Sequence, residues 1–270
     1  MKSCWLLLIM LGKKMRKICV IGNSHVAAVK LAYDNQELLD NISFYAIPGA
    51  GAPNFVIDGN QLVPLYEQDY GVTYPANLSK GDWVRSDIKN VESEGLSIQQ
   101  YDAIFYLGVG LPAYRTHLKN SHHYIKLTGE SPCNHTGVVS ESCFKAIFHH
   151  ELMNTCNIQS LERLIAQFDR PIFISMAPIP SQDVLKQNDF PKWLSNPKQF
   201  LAWCYQMQKR YLTERFIATG KARWLFDEET GADEWHFTDK KYAAKTDAWH
   251  MEQRYGDFVL SKISDKLVQL

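Results

Sequence analysis

Residues 17–25 read Lys-Ile-Cys-Val-Ile-Gly-Asn-Ser-His. A short β-branched run that ends in glycine predicts a buried strand. The following segment, residues 26–39, carries apolar residues at helical spacing, which predicts a helix directly after the strand. A buried strand that turns at once into a helix is typical of an α/β protein.

Further apolar runs repeat this alternation along the chain. Strands are predicted at 42–47, 103–107, 171–176 and 223–226, and helices at 140–168, 195–219 and 252–268. Continuously apolar strands separated by helices indicate a parallel sheet covered on both faces. We therefore expect a three-layer α/β/α sandwich with a central, mostly parallel sheet of five strands. The polar stretch 52–100 is expected to be an insertion, with a hairpin around Asp58-Gly59-Asn60.

Composition and charge exclude two broad classes of protein. The 270 residues carry 29 basic and 29 acidic side chains, so the basic excess of a general nucleic-acid binder is missing. No apolar run reaches 18 residues, which argues against a membrane-spanning helix. No phosphate-binding glycine motif is present, so no cofactor is expected.

Residues 1–14 form a short basic and apolar leader with two interpretations. One is a signal peptide at the short limit, without a small-residue cleavage site. The other, which we prefer, is that Met15 is the true start, because the first strand begins almost at that residue. Residues 15–270 are then expected to form one domain in the cytoplasm.

The six cysteines are too few and too scattered for a disulfide scaffold, and we expect reduced thiols. Several cysteines and histidines fall between Cys133 and Cys156, but their spacings match no common zinc site. No metal is therefore predicted.

The first candidate for chemistry is Gly22-Asn23-Ser24-His25, where the first strand turns into its helix. Ligands bind at the carboxyl ends of the strands in parallel sheets. At such a turn the Ser24 hydroxyl would project from that edge, beside backbone N–H groups at the start of a helix. The alternative is that Asn23 or Ser24 simply caps the helix.

The second candidate is Asp247-Ala248-Trp249-His250, just before the last helix. A carboxylate three residues before a histidine can accept a hydrogen bond from one ring nitrogen and leave the other as a base. The alternative is a helix-start aspartate beside an unrelated histidine. The same spacing recurs at Asp233 and His236, which shows that it also arises by chance.

Together these two motifs resemble those of the SGNH/GDSL hydrolase superfamily, a flavodoxin-like fold. Gly-Asn-Ser-His stands in place of the more usual Gly-Asp-Ser-Leu, and Tyr255-Gly256 is similar to the Tyr-Gly that often opens the family's last helix. The resemblance runs from Lys17 to Leu267, on short motifs. It implies that Ser24 is the nucleophile, His250 the general base and Asp247 the residue that orients His250.

The resemblance also implies an oxyanion hole with three donors. These are the N–H of Ser24, the N–H of Gly49 or Gly51 (Gly51 is preferred), and an asparagine side chain after the third strand. Gly110 stands at the asparagine position. Its backbone N–H could compensate for the missing side chain. Alternatively, the side chain of Asn54, Asn23 or Arg115 could supply the third donor.

The function implied is that of a serine esterase that acts on small acyl esters, such as O-acetyl groups on carbohydrate. Acyl transfer would need only a different acceptor. The alternative is a non-catalytic module that binds carbohydrate or another partner, which the missing asparagine favours. Asn23, His25 and Trp249 adjoin the candidate catalytic residues and are expected to contact substrate.

Overall fold

The computed structural model describes most of the predicted core of the chain. The described residues are 16–23, 25–36, 41–46, 55–64, 89–90, 96–110, 124–125, 138–186, 196–226, 232, 234–244 and 251–270. The leader, residues 1–14, lies outside them.

The central sheet has six strands in the described residues, and each of its ladders is parallel. Five strands correspond to the predicted ones. The sixth, a two-residue strand from the insertion, lies at one edge of the sheet and was not predicted. In chain order the strands are β1 (Lys17–Gly22), β2 (Asn41–Ala46), β5 (Lys89–Asn90), β7 (Ala103–Val109), β10 (Ile172–Met176) and β11 (Arg223–Trp224).

The spatial order of these strands is β11-β10-β7-β1-β2-β5. From β1 the chain moves to β2 on one side, then returns to β7 on the other side of β1. The five predicted strands thus follow the flavodoxin-like order. In such sheets the ligand site lies where the order reverses, at the carboxyl ends of the strands, which here are those of β1 and β7.

Helices pack on both faces of the sheet, as predicted. The helices are α1 (Val26–Asp34), α2 (Glu141–Met153), α3 (Cys156–Gln167), α4 (Pro197–Leu212) and α5 (Gln253–Val268). On one face α1 and α5 cover side chains such as Val20 and Leu107, and on the other α2, α3 and α4 cover side chains such as Ile21 and Tyr106. None of the helices in the described segments is long and apolar enough to cross a bilayer.

The single helix predicted over 140–168 is two helices. Ser140 caps α2 by accepting a hydrogen bond from the Cys143 N–H. The helical conformation is interrupted at Asn154 and Thr155. Thr155 adopts extended backbone angles, and its hydroxyl donates to the Leu152 carbonyl. That bond satisfies a carbonyl at the end of α2, so the break costs little.

The predicted hairpin of the insertion is confirmed. Strands β3 (Phe55–Asp58) and β4 (Gln61–Pro64) pair antiparallel around a Gly59-Asn60 turn, in which Gly59 has a φ of +56°. A third strand, β6 (Leu96–Ser97), pairs with β4. The hairpin is fixed to α3 by Ser160, whose hydroxyl bonds both the N–H and the carbonyl of Phe55. A separate parallel pair joins β8 (Tyr124–Ile125) to β9 (Val138–Val139).

Candidate functional site

The turn after β1 is closed by Asn23. Its side-chain Oδ1 accepts the N–H of His25 at 3.1 Å, and its carbonyl accepts the N–H of Val26 at 3.0 Å. Asparagine favours such turns because its side chain can bond the backbone two residues on. Gly22, just before, is needed because an added Cβ would lie 2.5 Å from the Leu107 carbonyl oxygen of β7. β1 and β7 therefore approach closely where the turn begins.

The facing end of β7 carries a bulge. The ladder between β7 and β10 pairs Ser175 with Leu107 and Met176 with Val109, so Gly108 has no partner in it. Gly108 has a φ of +85°, which glycine adopts readily. An added Cβ there would lie 2.8 Å from the Nδ2 of Asn23. The glycine thus leaves room for the Asn23 carboxamide between the two strand ends.

Two further carboxamides lie beside the same loop. Asn157 of α3 is fully buried, and its Nδ2 donates to the carbonyls of Gly108 and Gly110 at 3.4 and 2.5 Å. Gln208 of α4 is 2% exposed and packs against Gly110, whose φ is +106°. Side-chain amides from the turn after β1, from α3 and from α4 therefore lie beside the carboxyl end of β7.

The first turns of α1 and α5 are in contact on the face of the sheet opposite to α3 and α4. A Cβ added to Gly256 would lie 1.9 Å from the Ala28 carbonyl oxygen, so the two helix backbones touch there. One position before Gly256, the Tyr255 ring stands edge-on to the His25 ring, with centroids 6.5 Å apart. The Tyr-Gly pair noted in the sequence thus serves packing. Gly256 permits the close contact between α1 and α5, and Tyr255 covers the turn after β1.

The segment that leads into α5 is held in place by backbone bonds. Met251 forms an antiparallel bridge with Ala243, and the Glu252 N–H donates to the Tyr242 carbonyl at 2.9 Å. Met251 itself is buried against the face that α1 and α5 cover. The residue after His250 in the sequence therefore has a fixed position beside the start of α5.

Tyr205 of α4 lies near two aromatic side chains from later in the chain, His236 and Tyr255. Burial raises the pKa of Tyr205 to about 12, and the nearby Tyr255 phenol adds to the rise. The His236 ring stacks on Tyr205 with centroids 4.9 Å apart, and its backbone has a φ of +66°. Burial, with the Lys209 charge, lowers the pKa of His236. Its surroundings therefore favour the neutral form of this histidine.

Of the sequence-predicted site residues, the structure describes Asn23, His25 and Gly110. All three are at the carboxyl edge of β1 and β7, where the prediction put them. Ser24, Gly51, Asp247, Trp249 and His250 lie outside the described residues. So do the alternative donors Gly49, Asn54 and Arg115, and Asp233, the aspartate of the chance spacing.

Sequence reasoning missed Asn157 and Gln208. Both had a signal, because each is a polar residue in the apolar stripe of its helix. Gln208 follows Phe200 and Cys204 at intervals of four, and these three side chains are buried together. A polar side chain in a buried stripe needs a polar partner, and the sequence alone does not say which.

Over the described ranges, no three histidine, cysteine or acidic side chains come together as metal ligands would. Comparison of the chain with protein-family models, curated proteins and solved structures finds no match.

Proposed function

We propose that this protein is a serine esterase that cleaves small acyl esters, such as O-acetyl groups on carbohydrate. Ser24 would be the nucleophile, His250 the general base and Asp247 the group that orients His250. The observation that carries the proposal is the position of Asn23 and His25, the two neighbours of Ser24. They lie at the carboxyl ends of β1 and β7, where the strand order reverses.

The packing of α1 on α5 supports the pairing of Ser24 with His250. Ser24 precedes α1 by two residues, and His250 precedes α5 by three. Their described neighbours converge, because His25 contacts Tyr255 and Ala28 touches Gly256. Two helices that meet at their first turns would bring the residues just before them to one place.

The proposed chemistry is acyl transfer in two steps. His250 takes the proton of the Ser24 hydroxyl as its Oγ attacks the ester carbonyl, and the tetrahedral oxyanion is held by N–H donors, among them those of Ser24 and Gly51. The oxyanion then collapses, and the leaving alcohol takes the proton from His250. Water activated by His250 hydrolyses the acyl-Ser24 ester by the same steps.

One observation favours a second candidate, a binding module without catalysis. Gly110 offers no side-chain donor at the place where the resemblance expects one, and loss of one such donor costs about 10²–10³-fold in turnover in a comparable site. A binding module would hold an acetylated carbohydrate and leave it intact. An esterase would release acetate from it.

The test is hydrolysis of a chromogenic acetate ester, followed by a panel of short-chain esters and acetylated sugars. We expect wild-type activity that Ser24→Ala abolishes. Ser261→Ala is the matched control, because Ser261 is exposed on α5 and bonds only its own helix in the described contacts. Equal activity, or equal inactivity, of wild type and Ser24→Ala would rule out the proposed catalysis.

A further inference from the structure

Buried side-chain amides surround the carboxyl end of β7, at Gly108 and Gly110. Asn23, Asn157 and Gln208 are 8%, 0% and 2% exposed, and they come from the β1 turn, α3 and α4. They lie around one glycine-containing loop, at the point where the strand order reverses.

Two of the three amides shape the loop itself. Asn23 uses its Oδ1 to close the turn on the His25 N–H. Asn157 donates to the carbonyls of Gly108 and Gly110, and its own Oδ1 lies 3.0 Å from the Thr155 hydroxyl oxygen. Both side chains hold the backbone of this loop.

Gln208 stands in a different relation to the loop. A Cβ added to Gly110 would lie 2.5 Å from the Cδ of Gln208 and 2.8 Å from its Oε1. The carboxamide of Gln208 therefore fills the volume that a side chain at position 110 would fill. It is carried there by α4, whose buried stripe includes Cys204 one turn earlier.

We propose that Gln208 donates an N–H to the oxyanion, as the side-chain donor that position 110 lacks. This inference rests on the proposed function. As the Oγ of Ser24 bonds to the ester carbon, the carbonyl π electrons move onto the oxygen, and the Gln208 N–H binds that oxygen without giving up its proton. Gly110 is glycine because the incoming amide leaves no room for a Cβ.

The experiment compares the full-length wild type with Gln208→Met, which has nearly the same shape and no N–H. A donor used mainly in the transition state predicts a fall in kcat of about 10²–10³-fold with little change in KM. Gln208→Asn keeps the amide but withdraws it by one methylene, and should lower kcat as well. Gln199→Met, at an exposed position of α4, is the matched control and should be unchanged.

The outcomes separate this inference from the proposed function. If Ser24→Ala is inactive while the Gln208 variants keep wild-type kcat, the inference is wrong and the esterase proposal stands. A rise in KM with kcat intact also overturns it, because Gln208 would then only shape the substrate site. If wild type and Ser24→Ala are equally inactive, the proposed function fails and this inference with it. Thermal unfolding identifies folded variants, and Gln208→Asn decides the question if Gln208→Met does not fold.

Discussion

Gly256→Ala should destabilise the protein by forcing α1 and α5 apart. The new Cβ would lie 1.9 Å from the Ala28 carbonyl oxygen and 3.0 Å from the Val29 nitrogen. Both are backbone atoms, so no side chain can rotate away. Ordinary contact at 3.4 Å requires the helices to separate by about 1.5 Å, which opens gaps along their shared interface.

The magnitude follows from two opposed effects. Overpacking costs about 1–3 kcal/mol, and a backbone contact belongs at the upper end of that range. Alanine in place of a helical glycine returns about 1 kcal/mol. We expect a net loss of about 2 kcal/mol in the free energy of unfolding, or a fall in Tm of about 4–8 °C for a chain of this length.

Urea unfolding of Gly256→Ala against wild type measures this loss. Ser261→Ala lies five residues further along α5, at an exposed position, and should change the free energy of unfolding by less than about 0.5 kcal/mol. Because α1 and α5 begin just after Ser24 and His250 in the sequence, the proposed esterase activity should also fall more in Gly256→Ala than in the control. Unchanged or increased stability of Gly256→Ala would refute the close approach of the two helices.

Three other predictions concern the described residues. Asn157→Ala leaves buried carbonyls, including that of Gly110, without their donor, and should cost about 1–3 kcal/mol in urea unfolding. Burial holds the pKa of His236 below its usual value, so the unfolded chain takes up the proton first and stability declines as the pH falls. His236→Asn, which tolerates a positive φ, should show a shallower decline of the urea midpoint between about pH 7.5 and 5.5. A thiol reagent should modify exposed Cys143 in the native protein, whereas burial raises the pKa of the Cys204 thiol and should protect it until unfolding.

Each of these predictions has a contrary outcome. Wild-type stability of Asn157→Ala would mean that the amide does not hold the loop. Parallel pH profiles for wild type and His236→Asn would mean that His236 has the same pKa in the folded and unfolded states. Modification of Cys204 as fast as Cys143, measured by peptide mapping, would contradict its burial.

The central strands of the sheet were predictable because they are buried. Runs such as Ala103–Val109 are apolar on both faces, and each ends in residues that turn the chain. The hairpin was predictable because Asp58-Gly59-Asn60 has strong turn chemistry. The break between α2 and α3 was not predicted, although Asn154-Thr155 is a pair that favours helix ends and starts. The edge strand Lys89–Asn90 is too short and polar to give a pattern.

The site was predictable only in its local parts. The Gly-Asn-Ser-His turn follows from one strand and one helix that are adjacent in sequence. Gln208 reaches Gly110 from almost 100 residues further along the chain, and such a contact depends on how α4 packs. The positive φ of Gly110 likewise follows from the bulge in β7 and the incoming amide, neither of which a local pattern reveals.

The proposed catalysis requires that Ser24 act as a nucleophile activated by His250. The most direct measurement is labelling of the full-length protein with a serine-reactive fluorophosphonate, followed by peptide mapping of the adduct. We predict one adduct on Ser24 that is lost in Ser24→Ala, strongly slowed in His250→Ala and kept in Ser261→Ala. No adduct, or an adduct on another serine that persists in Ser24→Ala, would contradict the claim.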